Sequence, residues 1–331
     1  METSQKGKLL VLLKIFETMT DEEHPLTAPE LVDELKKRGV SVERKKVFRD
    51  IEALGDFGYD IVLQRGKKAG YFLASRSFEV AEVRLLTDAV QSAWFITPKK
   101  TKQLLKKLEV LLSKHQAKSI SRQVYVDSRL KCNNEQIYYT IDILNKAVAE
   151  GLKVTFAYRK NEFRSPSAGK KEDRAFVVSP YALLWSNDKY YLVGNYEKYD
   201  NLSHFRIDRI FKAEITDRES RDFEEVCEYT GKFDVADYAK RNFNMFGGVP
   251  GSIELKCKNE IYEIITDRFG DDISVHQFGD GHFIVRDNVH ISDGLVRWLV
   301  EFGDVIEVIS PASLRLNVVE RINKISNNYA I

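Results

Sequence analysis

The chain has 331 residues, of which 43% are hydrophobic, 31% charged and 11% aromatic, and its formal net charge is +1. That length exceeds one ordinary core, so two or three domains are expected. The aromatic content excludes a mainly disordered chain, and the apolar runs are too short to span a membrane. With bulk charge near zero, any nucleic-acid partner must be argued from local clusters. Three widely spaced cysteines (Cys132, Cys227 and Cys257) favour a reducing cytoplasm over a disulfide framework or zinc knuckle. Met1 to Lys8 is polar and lacks a signal-peptide pattern.

Leu9, Leu10, Leu12, Leu13, Phe16 and Met19 recur at helical spacing, up to a break at His24-Pro25. Thr27-Ala28-Pro29-Glu30 is a capping box with proline in the first turn, and Leu31 and Leu35 are the buried face of a second helix. Lys36-Lys37-Arg38-Gly39 places cations and a glycine stop at its end. Ser41 is the expected cap of a third helix, with Val47, Ile51 and Leu54 inside. Ile61–Gln64 and Tyr71–Leu73 read as short strands around the basic turn Arg65-Gly66-Lys67-Lys68-Ala69-Gly70. Val83, Leu86, Val90 and Ala93 predict one connector helix, and Leu104, Leu108 and Leu111 another after Pro98. Basic residues dominate Lys99 to Lys131, consistent with a solvated face or a supplementary DNA backbone contact.

A helix over Ile137–Glu150 ends at Gly151. Five strand signals follow: Val154–Tyr158, Phe176–Leu184, Tyr190–Asn195, Ser203–Ile207 and Phe211–Ile215. Their spacing predicts a small antiparallel barrel. Asp217–Gly248 reads as a looser linker with one short helix near Val235–Lys240. From Ile253 onward the order is strand, helix, strand, strand, helix, strand, helix; the first six form a ferredoxin-like βαββαβ unit.

The strongest local signal lies in Ser41-Val-Glu-Arg-Lys-Lys-Val-Phe-Arg-Asp-Ile-Glu-Ala-Leu54. One stripe packs, while Arg44, Lys45, Lys46 and Arg49 fall on the remaining surface, a pattern suited to the major groove. Arginine reads guanine edges with two prongs, and lysine neutralises phosphate. Taken alone, the stretch also fits a solvated basic helix. With the preceding helix and the hairpin that closes at Gly70-Tyr71-Phe72-Leu73, it resembles the N-terminal domain of DeoR-like regulators. Candidate DNA contacts are Ser41, Arg44, Lys45, Lys46, Arg49, Arg65, Lys67 and Lys68.

A second resemblance rests on Ser179-Pro-Tyr-Ala-Leu-Leu-Trp185, Lys189-Tyr190-Tyr191-Leu192-Val-Gly194 and His204-Phe-Arg-Ile-Asp-Arg-Ile210. These are similar to the WYL-domain transcriptional regulators, with Tyr190-Tyr191-Leu192 where the family has Trp-Tyr-Leu. The resemblance runs through the winged helix, connector, WYL barrel and C-terminal extension. It implies a sensor for an anionic effector, a nucleotide or single-stranded nucleic acid. Strand alternation puts His204 and Arg206 on one face and Phe205 and Ile207 on the other. Tyr181, Tyr191, His204, Arg206 and Arg209 are therefore the candidate effector residues: Arg206 as a phosphate fork, the tyrosines as stacking surfaces, and His204 as a pH-sensitive contact. Alternatively Arg209 pairs with Asp208 or a neighbouring carboxylate as a turn brace, and the tyrosines are ordinary core. Asp208 reads as structural, since a carboxylate repels an anion.

No phosphate loop, dinucleotide fingerprint or nucleophile elbow occurs, and the six histidines form no His-x-x-x-His. No enzyme activity, cofactor or metal is expected. The reading is an α+β multidomain protein: a winged helix-turn-helix over 1–75, a helical connector over 76–135, and a small Sm-like antiparallel β-barrel (WYL) over 136–220. A linker over 221–250 and a ferredoxin-like C-terminal domain over 251–331 complete it. The expected function is a cytoplasmic, ligand-responsive transcriptional regulator that binds double-stranded DNA as a homodimer, with no membrane. The rival is a nucleic-acid-processing or defence-system accessory protein that uses the barrel on single strands.

Overall fold

The computed structural model describes residues 5–121, 131–159 and 174–330, divided into two compact units, 1–133 and 134–331. The part of the basic run over 122–130 lies outside the described residues.

The first unit opens with α1 (Gln5–Met19), α2 (Ala28–Lys37) and α3 (Arg44–Asp56), followed by the hairpin β1 (Ile61–Gln64) and β2 (Gly70–Leu73). Leu12, Ile15 and Phe16 of α1, Leu31 and Leu35 of α2, and Val47, Ile51 and Leu54 of α3 form its core. Thr27 caps α2: its hydroxyl accepts from the Glu30 amide, and the Glu30 carboxylate accepts from the Thr27 amide at 2.7 Å. The start of α3 differs from expectation. Glu43, not Ser41, is its N-cap, without a side-chain bond. Val40 and Val42 pack into the core, which holds the chain extended past Ser41 and delays the first helical turn. In the hairpin, Ile61 pairs with Leu73 and Gln64 with Gly70. Leu26 adds a bridge to Tyr71. A Cβ at Gly70 would meet the Leu26 carbonyl carbon at 2.7 Å, so glycine permits this third strand-like contact.

Helices α4 (Val80–Ser92), α5 (Pro98–Glu109) and α6 (Lys114–Ser121) complete the unit. Val83 packs with Leu108, Leu111, Leu112 and Ile120. Leu86, expected inside, is 40% exposed, and Thr87 is buried instead. The packed side of α4 follows the i, i+4 pair Val83–Thr87, which turns Leu86 outward. The buried Asp21 carboxylate accepts hydrogen bonds from the Ser113 hydroxyl and, at 2.7 Å, from His24 Nδ1. His24 also stacks on His115 at 3.7 Å, so α6 is fastened to the loop after α1.

The second unit begins with α7 (Ile137–Glu150), ended by Gly151 in the left-handed region at φ 64°. Then come β3 (Leu152–Tyr158), β4 (Arg174–Ser186), β5 (Lys189–Tyr196), β6 (Leu202–Arg206), a 3-10 turn (Ile207–Arg209) and β7 (Ile210–Glu219). The antiparallel sheet runs β6-β5-β4-β3-β7. Among the described residues β6 and β7 form no ladder, but the sheet curls on itself as the expected barrel does: the Phe205 ring of β6 meets Phe156 and Tyr158 of β3, beyond two intervening strands, at 5.2 and 5.4 Å. The 3-10 turn carries the chain from one edge to the other without a ladder. A Cβ at Gly194 would meet the Ser179 carbonyl oxygen at 2.4 Å, which explains glycine where β5 crosses β4.

The segment expected to be a looser linker is packed. Its helix α8 (Val235–Arg241) buries Tyr238 to 2% exposure. Tyr238, Phe233 and Tyr229 lie against Ala182 and Val193 of the sheet. Aromatic burial holds this segment, a signal that its charge and turn residues masked.

The remainder comprises β8 (Val249–Lys258), α9 (Tyr262–Phe269), β9 (Ser274–Gln277), β10 (His282–Ile291), α10 (Asp293–Glu301), β11 (Ile306–Ser310) and α11 (Ala312–Tyr329). Its strands lie in the order β11-β8-β10-β9, the interleaving of a split βαββαβ unit. Ile253, Leu255, Val285, Leu295, Leu299 and Leu314 are at the centre of its core.

Candidate nucleic-acid interface and effector site

Helix α3 separates its two chemistries by face. Val47, Ile51 and Leu54 are buried, while Arg44, Lys45, Lys46 and Arg49 are exposed. The Arg44 guanidinium lies 5.9 Å from the Phe48 ring centroid, and Phe48 packs against Tyr71 of β2 at 6.2 Å. The exposed face of α3 therefore adjoins the hairpin. Arg65, Lys67 and Lys68 are exposed in the hairpin turn, where Lys68 forms an ion pair with Glu23. Ser41 is exposed and lies outside the helix.

In the five-stranded sheet, register places Tyr191 directly opposite Arg206. Arg206 donates from Nε to Asp208 Oδ1 at 3.0 Å and from Nη2 to Oδ2 at 2.7 Å. These two side chains are only 14% and 9% exposed. Burial works against the charge on Arg206, and the Asp208 carboxylate outweighs it, so the guanidinium is held more firmly protonated. Asp208 thus pairs with Arg206, not with Arg209 as one reading had it. Arg209 Nε is buried with no hydrogen-bond partner among the described residues.

Two residues that the sequence reading did not single out complete this cluster. Tyr158, whose phenol is pushed up by burial, accepts the Arg206 amide at 3.1 Å. Asn134 donates to the carbonyls of Asp208 and Ile210 at 3.1 and 3.0 Å, fixing the turn. Neither carries a local signal, because each partner lies 48 residues or more away in sequence.

Tyr181 and His204 are engaged elsewhere. A bulge between Pro180 and Ala182 lets Tyr181 face the segment after β7. There its hydroxyl donates to the Arg221 carbonyl at 2.9 Å, and its ring meets Phe223 and Phe233. Strand alternation does put His204 on the side of Arg206, but α8 covers it: His204 Nε2 lies 2.8 Å from the Tyr238 hydroxyl. Burial, helped by His290 nearby, pulls the His204 imidazole down to about 4. Its ring nitrogen is taken by the Tyr238 hydroxyl, a packing contact in the place of the expected pH-sensitive phosphate contact. The structure therefore gathers Tyr191, Arg206 and Arg209 into one site and separates Tyr181 and His204 from it.

His290 pairs with Glu228 at 2.7 Å. Among the described residues no three His, Cys, Asp or Glu side chains converge as a metal site, and no helix is long and apolar enough to cross a membrane.

The chain contains a WYL domain over residues 139–215 and a WCX domain over residues 250–326. Both lie in the second unit: the first spans α7 and the five-stranded sheet, the second the βαββαβ unit and α11. Among solved structures, the chain is similar to Proteasome accessory factor B/C (PafBC) of Arthrobacter aurescens at 14% identity and a TM-score of 0.31, over 96% of this chain and 49% of that one. It thus spans about half the length of that protein. It is also similar to a CRISPR Cas-related protein at 12% identity and a TM-score of 0.37, over 77% of this chain and 75% of that one. No curated protein matches it.

Proposed function

We propose that the protein is a ligand-responsive, sequence-specific DNA-binding transcriptional regulator of the cytoplasm. Helices α1–α3 and the β1–β2 hairpin act as a winged helix-turn-helix resembling that of DeoR-like regulators. The observation that carries this reading is α3: a buried apolar stripe backed by four exposed cations beside a basic hairpin turn. A helix held by one stripe can enter the major groove with its other side, reading base edges through Arg44 and Arg49 and phosphates through Lys45 and Lys46. Arg65, Lys67 and, after release from Glu23, Lys68 extend the contact to the neighbouring backbone.

The WYL domain senses an anionic effector, a nucleotide or single-stranded nucleic acid. Tyr191, Arg206 and Arg209 support this, together with the unspent donor at Arg209 Nε. Buried donors seek acceptors, and an anion supplies them. Tyr181 and His204 act by holding α8 and its flanking segment on the sheet. Effector control requires unequal binding to DNA-competent and DNA-incompetent arrangements, and the coupling is reciprocal.

The test is to select DNA with the purified protein, then titrate the selected duplex with and without nucleotides or short single strands. The expected result is a sequence preference and an affinity change of about 5–150-fold on adding effector. Binding without sequence preference would remove the regulator reading. No response to any anion in a protein that binds DNA would remove the sensor.

A further inference from the structure

The cationic cluster after β6 contains a carboxylate. A group of that sign should weaken an anion site, yet Asp208 occupies both prongs of Arg206 with 3.0 and 2.7 Å bonds. We propose that Asp208 is an internal substitute for the effector, holding Arg206 until a terminal phosphate dianion displaces it. The inference rests on the effector-site reading above and narrows its ligand to phosphomonoesters and diphosphates.

The guanidinium fork receives carboxylate and phosphate with the same two-pronged geometry. The bonds that Asp208 fills are therefore those an incoming phosphate would take. Holding the turn does not require this carboxylate. Asn134 clamps the carbonyls of residues 208 and 210, and the Tyr158 hydroxyl receives the Arg206 amide. Among the described residues the Asp208 side chain bonds only to Arg206, so it can swing away without unmaking the fold.

Charge then sets the selectivity. Two guanidinium groups and one carboxylate leave one positive charge in excess. A phosphodiester carries a single negative charge, as Asp208 does. Exchanging one for the other gains nothing electrostatically and leaves a displaced carboxylate beside the ligand. A terminal phosphate carries close to a second charge at neutral pH. It can take the Arg206 fork and also satisfy the buried Arg209 Nε, which has no partner among the described residues. Asp208 thereby excludes internal phosphodiesters and admits a phosphate end.

The experiment is calorimetric titration of the full chain with inorganic pyrophosphate, a 5′-phosphorylated oligothymidylate and the same oligomer with a 5′-hydroxyl. Wild type should bind the first two and bind the 5′-hydroxyl oligomer at least about tenfold more weakly, a gap of about 1.4 kcal/mol. Asp208→Asn, near in shape and without charge, should bind all three more tightly and lose much of that discrimination. Asp208→Ala should shift affinity in the same direction, and unchanged thermal melting of both variants excludes misfolding as the cause. Pyrophosphate binding without the phosphorylated oligomer supports the exchange with a small diphosphate as the source. Binding of both supports it with a nucleic-acid end. Equal binding of the two oligomers to wild type overturns the dianion selectivity. Unchanged or weaker binding by Asp208→Asn overturns the exchange but leaves the effector site standing, since wild type still binds. If neither protein binds any probe, the inference and the effector-site reading fall together.

Discussion

At the level of single side chains, Asn134 and His204 fasten the WYL sheet to its surroundings. Asn134 spans two carbonyls of the turn and also accepts the Gln136 amide at 3.0 Å, tying the start of α7 to the start of β7. Asn134→Ala leaves buried carbonyls without donors and should cost about 2–4 kcal/mol. A lower denaturation midpoint at constant m-value would show it, and an unchanged midpoint would deny the clamp its role. His204 carries a pH dependence. Its folded-state value of about 4 is below the ordinary value of about 6.5, so the unfolded chain takes up the proton first. The contribution of His204 to stability is full above about pH 6.5 and is lost as pH falls toward 4, by about 3 kcal/mol at most. His204→Gln keeps a partner for the Tyr238 hydroxyl but cannot take up a proton. Its stability should fall less than that of wild type between pH 7 and pH 5; parallel profiles would rule out His204 as the source.

At the scale of an element, α3 makes a prediction that separates two kinds of contact. Arg44→Ala or Arg49→Ala should cost about 1–3 kcal/mol on the preferred duplex and relax its sequence preference. Lys45→Ala or Lys46→Ala should weaken all sequences alike and reduce the salt slope by about one. These side chains are exposed, so the variants should fold normally. A quadruple alanine variant with intact melting and unchanged DNA affinity would remove α3 from the interface. The late start of α3 matters here: with Glu43 as the cap, Arg44, Lys45 and Lys46 fill its first turn, where a recognition helix presents its reading residues.

For the whole molecule, one winged helix offers few base contacts, and pairing two modules raises affinity without new chemistry. The chain is expected to act as a homodimer on a two-fold symmetric or direct-repeat site. Apolar surface is available: Leu85 of α4 is 70% exposed, and Leu316 and Tyr329 of α11 are 63% and 81% exposed. Sedimentation at micromolar concentration should give a dimer, and footprinting should protect two half-sites. A monomer bound one to one to its best site would contradict both.

The elements were legible because their signals are local. The Thr27-to-Glu30 box, the stop at Gly151 and the alternation through Ile253, Leu255 and Cys257 each reside in a few consecutive residues, and each stands in the structure where periodicity put it. The exposed cations of α3 were legible for the same reason, since a packed stripe defines its opposite face. What only the tertiary structure decided is which partner each polar side chain took. Strand alternation put His204 beside Arg206, but whether that face meets solvent or α8 depends on a segment more than 30 residues away. Spacing offered Asp208 to Arg209, and the turn gave it to Arg206. The bulge that turns Tyr181 toward Phe223 and Phe233 leaves no mark in composition. Periodicity reports which side of an element is apolar; the choice among polar partners is made by the packing of distant segments, which excludes water from some charges and leaves others exposed.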